Sequence, residues 1–122
     1  MYKKLKTVKA YLDELKDLEE KLREKGKIDS ADQTELDKED LSRKINEAIS
    51  IFSEIGYLDE VAEVCQIVSN IFSIAAFKSR DEEFSRRADR IAKVWSERAK
   101  FEKASIGLRP DLMVTAETVR FG

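Results

Sequence analysis

The side chains with the most chemical potential in this 122-residue chain are carboxylates. Asp59, Glu60 and Glu63 fall within one helical turn, and acids three residues apart on a helix are neighbours that can share a Mg2+ ion. A carboxylate-only site of this kind needs a second acidic pair further along. Where that pair would stand, Lys78 precedes Asp81 and Arg86 precedes Asp89, so a base replaces the first acid both times. The three acids are therefore read as helix-start residues favoured by the macrodipole. Asp29 to Asp40 is acid-rich but lacks the central glycine and the ligand spacing of a calcium loop.

Histidine is absent and there is one cysteine. This excludes histidine-built di-iron centres, Cys/His zinc sites and Ser–His or Cys–His nucleophiles. No glycine-rich phosphate loop is present. The chain is read as non-enzymatic, with no catalytic residue, no metal and no cofactor. Cys65 lies in the most apolar stretch and is expected to be a small buried core residue rather than a reactive thiol.

Cationic groups offer a second kind of chemistry. Arg86, Arg87, Arg90 and Lys93, followed by Arg98 and Lys100, place a basic stripe on one helix, which is enough for contact with nucleic-acid phosphates. Asp89 and Glu97 interrupt it, and no aromatic pair suggests a base-stacking platform, so nucleic acid is the alternative partner rather than the first. The full chain carries a net charge of −2, distributed unevenly: residues 1–28 sum to +3, 29–66 to −8 and 67–122 to +3. Acidic and basic surfaces on one molecule permit electrostatic self-association.

The elements that position these groups follow from apolar spacing. At 42% apolar and 39% charged residues, with a single proline and four glycines, the chain has the composition of one all-α domain. A helix over Lys3 to Lys25 carries Leu5, Val8, Leu12, Leu15 and Leu22 on a narrow seam suited to a coiled-coil partner or a bundle core, widened by Tyr11 and Leu18, and is expected to stop at a left-handed Gly26. Gly26 to Asp40 reads as a loop with at most one turn, in which Asp32 and Glu35 form a cap. A second helix from Asp40 to Gly56 places Leu41, Ile45, Ala48, Ile49, Phe52 and Ile55 on one face. Leu58 to Phe77 is apolar nearly all round and should be central, with more apolar surface than one domain needs. Ser79 to Glu82 matches a capping box opening a fourth helix, where Phe84, Ala88, Ile91, Trp95 and Ala99 face the core and the helix ends near Ser105.

The stretch Ile45 to Val68 resembles a single tetratricopeptide-type hairpin. Ile45, Ala48, Ile49 and Phe52 match its first helix, Gly56, Leu58 and Val61 its turn, and Cys65 and Val68 its second helix, with valine in place of the turn alanine and no second copy following. The resemblance implies a protein-binding scaffold.

These readings converge on a four-helix up-and-down bundle or tetratricopeptide-like hairpins: one domain over residues 1–105 and a non-helical C-terminal tail over 106–122. The expected function is protein–protein interaction or assembly, in the cytoplasm, with a protein partner or a second copy. The expected contact residues are Tyr11 and Leu18 on the first helix and Leu112, Met113, Val119 and Phe121 in the tail.

Overall fold

A computed structural model describes the backbone of residues 2–114 and the side chains of residues 4–106. It is all-α, with α1 over Tyr2–Glu24, α2 over Ser30–Asp37, α3 over Glu39–Glu54, α4 over Leu58–Lys78 and α5 over Glu82–Val114. The four long helices run up, down, up and down. Lys16 meets Glu63 and Asn70 meets Glu19, so α1 and α4 are parallel. Ser69 bonds Ala92 and Ser85 bonds Ala76, so α4 and α5 are antiparallel.

α4 is the hub. It packs against α1, α3 and, most extensively, α5, which accounts for its apolar character on nearly all sides. Val61, Val64, Val68, Ile71 and Ala75 are buried, as is Cys65, whose thiol is pushed above its ordinary pKa by burial. By length and composition alone α4 could also cross a membrane, but more than half of that stretch is covered by the chain's own helices. Ser69, the one buried polar side chain among the described residues, donates to the carbonyl of Ala92 at 2.8 Å and so is not left unsatisfied.

Each chain reversal has its own lock. α3 ends on Gly56 at φ 80, with Tyr57 N–H bonded to the Phe52 carbonyl and Gly56 N–H to that of Ser53, the paired bonds of a Schellman stop. Tyr57 then stacks on Phe52 with ring centroids 6.3 Å apart. α1 ends differently from the expectation. Gly26 is not left-handed; instead the Lys78 ammonium donates to the carbonyls of Leu22, Arg23 and Lys25 at 3.0, 2.6 and 2.5 Å, while Ile28 N–H bonds the Lys78 carbonyl at 3.1 Å. A cation at a helix C-terminus satisfies both the orphan carbonyls and the dipole.

The segment expected to be a loop contains α2. Its cap is Asp29, whose carboxylate accepts from Asp32 N–H while the Asp32 carboxylate accepts from Asp29 N–H, and Leu36 anchors the helix in the core. The cap of α5 also shifts: Asp81, not Ser79, accepts from Glu83 and Phe84 N–H, while Ser79 Oγ accepts from Asp81 N–H. α5 continues past Ser105 through Gly107 and Pro110 to Val114, so a proline that removes one backbone hydrogen bond does not stop it.

Candidate interaction surface

α5 is assembled from two unlike faces. Phe84, Ala88, Ala92 and Ala99 are buried, and the small side chains let it lie close along α4. Ile91 and Trp95 are half-buried and turn toward α3. On the outer side Val94 is 66% and Phe101 68% exposed, seven residues apart and hence on one stripe. Two other aromatics are less available or isolated: Tyr57 is held between Phe52 and the Lys9 ammonium, and Phe77, 87% exposed, lies at the end of α4.

Beside that stripe runs a trough between α3 and α5. Its upper part, about 250 Å3, is lined by the apolar Leu36, Ile45, Phe72, Ile91 and Trp95 and also by Asp37, Lys38, Glu39 and Ser42. Its lower part, about 510 Å3, is edged by Ser50, Ser53 and Glu54 of α3 and by Arg98, and Asn46 lines both parts. Arg98 lies over the Trp95 ring at 5.3 Å and near Glu102 at 3.9 Å, so the wall of the trough is braced. An apolar floor with polar edges suits side chains projecting from a helix or an extended peptide.

The residues expected from sequence fall elsewhere. Tyr11 and Leu18 are half-buried against the core at a separate groove of about 200 Å3 between α1 and the start of α3. Lys44 lies over the Tyr11 ring at 5.6 Å and pairs with Glu14 at 2.7 Å, which raises the Lys44 pKa; Arg43 and Lys44 hold the Asp40 carboxyl below its usual range. The backbones of Leu112 and Met113 lie in α5, but their side chains lie outside the described residues, as do Val119 and Phe121 altogether.

Of the basic residues weighed for nucleic acid, all are exposed on α5. Arg87 is engaged by Asp37 at 2.8 Å and packs over Phe84, and Lys93 pairs with Asp89 at 3.2 Å. Arg86 and Arg90 make no ion pair among the described residues. Glu63 pairs with Lys16 at 3.1 Å, and no group of three or more potential metal ligands gathers among the described residues. Sequence reasoning passed over Val94 and Phe101. Their seven-residue spacing was the available signal, but polar neighbours at the intervening steps masked it.

Comparison with protein-family models, with curated proteins and with solved structures gives no match.

Proposed function

We propose that the chain is a non-enzymatic protein–protein interaction or assembly module, and that it engages its partner along the outer side of α5 and the adjoining trough. The observation that carries this reading is the pair Val94 and Phe101. Both are large apolar side chains left in water on a helix supported chiefly by α4, on the stripe next to Trp95 and Arg98, which line the trough. Isolated exposed apolar residues need no explanation, but an aligned pair beside an apolar cleft is the usual form of a binding surface. The single tetratricopeptide-like hairpin, Ile45 to Val68, supports the same class, since α3 of that hairpin forms one wall of the trough.

The test is a photo-crosslinking amino acid at Val94, introduced into the full chain in its native cell. The expected result is one discrete protein adduct that disappears when Phe101→Asp is added. If Val94 yields no discrete adduct, or an adduct indifferent to Phe101→Asp, the surface is not a recognition site.

A further inference from the structure

The outward faces of α1 and α5 carry opposite charges at matching spacing. On α1, Asp13, Asp17, Glu20 and Glu24 are all exposed, point away from the buried seam of Val8, Leu12, Leu15 and Leu22, and make no ion pair among the described residues. On α5, Arg86 and Arg90 are exposed and make no ion pair among the described residues, and Lys93 pairs with the neighbouring Asp89. Read down α1, the acids Glu24, Glu20 and Asp17 are separated by four and three residues. Read along α5, Arg86, Arg90 and Lys93 show the same steps.

The fold puts these stripes at comparable heights on different flanks of the molecule. α1 meets α4 at Glu63, Asn70 and Lys78, whereas α5 meets it at Ser69 and Ala76 and runs beside Ala62. At about 100° per residue those two sets are centred roughly 130° apart around α4, so α1 and α5 flank it on different sides. The helices also run in opposite directions, since α1 is parallel to α4 and α5 antiparallel to it. A second copy displaced sideways, without inversion, therefore brings its α5 against α1 of the first in antiparallel register. Glu24 then faces Arg86, Glu20 faces Arg90 and Asp17 faces Lys93.

We infer that copies of this chain associate side by side, the acidic stripe of α1 in one against the basic stripe of α5 in the next. This deepens the assembly reading above and rests on it. Because each copy presents its two stripes on different flanks, the contact is heterologous and propagates from copy to copy, as a ring or an open row, rather than closing as a two-fold dimer. Val94 and Phe101 adjoin the basic stripe and add apolar contact at its edge. A stable contact needs about 800 Å2 from each copy, near a tenth of the 7704 Å2 surface of this chain, which two facing helices of this length can supply.

The test is multi-angle light scattering on the purified full chain over a range of concentrations at low and high salt. The expected mass rises past that of a dimer with concentration at low salt and falls to the monomer at high salt. Glu20→Arg and Arg90→Glu, both at exposed positions, should each weaken association by about tenfold or more through like-charge contact, and the double swap Glu20→Arg/Arg90→Glu should restore it. Circular dichroism confirms that each variant keeps its helices. A chain that stays monomeric at every concentration, a closed dimer, or association indifferent to the single reversals overturns the inference. A monomer in solution combined with a discrete adduct to another protein at Val94 in the cell overturns only the self-association and leaves the interaction reading standing.

Discussion

Lys78 offers the sharpest test of how the bundle is closed. Its ammonium has three protons, and all three are used: they go to the carbonyls of Leu22, Arg23 and Lys25 at the end of α1. Of the three, the Leu22 carbonyl also accepts from Lys25 N–H at 3.3 Å, and the chain there turns straight into the Ile28–Ser79 bridge. Hydrogen bonds to a charged group contribute about 1.5–3 kcal/mol each at most, but water can reach part of this site, so the three acceptors are not worth three full bonds. Replacing the lysine by methionine keeps the packing stem and removes the charge. The expected loss is about 2 kcal/mol, or a fall in Tm of roughly 6–10 °C for a domain of this size. Urea denaturation of Lys78→Met followed by circular dichroism measures it, and hydrogen exchange locates it, since the Ile28 amide should exchange faster. Lys78→Arg should recover only part, because a planar guanidinium cannot aim three donors from one nitrogen. A loss below about 0.5 kcal/mol would show that water replaces the ammonium without cost and that α1 is held by its seam alone.

Three further outcomes follow from the same packing. Phe52→Ala, at a fully buried ring, should cost about 3–5 kcal/mol in urea denaturation, whereas Phe101→Ala, at an exposed one, should stay within about 0.5 kcal/mol. Gly56→Ala should cost about 1–2 kcal/mol by thermal denaturation, because the added Cβ meets no neighbour and the whole penalty is that of a left-handed φ of 80°. The Asp32 carboxyl is held below its usual pKa by Lys25 and by the Asp29 amide; its stabilising contribution is therefore present above the unfolded-state pKa near 4 and is lost as pH falls through the lower folded value. Asp32→Asn should flatten the acid limb of the urea midpoint plotted against pH.

How much of this was legible in the sequence differed by element for physical reasons. α3 and α4 were readable because their burial is periodic or nearly continuous: Ile45, Ala48, Ile49 and Phe52 mark one face, and the run from Val61 to Ala75 marks a helix covered on several sides. α2 was not, because its eight residues bury only Leu36 and owe their helicity to a reciprocal aspartate cap. The stop of α1 is not a left-handed Gly26, and the sequence hides this because the group that ends the helix, Lys78, lies 53 to 56 residues beyond the carbonyls it holds. Charge summed over segments hid the acidic stripe of α1, since residues 1–28 are net basic while their outward face from Asp13 to Glu24 is not. The expected contact residue Tyr11 packs under Lys44, and an exposed apolar pair lies on α5.

The central position of α4 sets a problem of timing during synthesis. Its side toward α1 and α3 can be covered as soon as it leaves the ribosome, because both partners precede it. The side that receives α5, with Cys65, Ser69 and Phe72, has no cover until the stretch from Phe84 to Ala99 has been made. For that interval the nascent protein displays an apolar helix face to any chaperone, membrane or neighbouring chain within reach. The aspartate cap at Asp81, three residues past the end of α4, starts the missing helix immediately after the helix it must cover, which keeps that interval short.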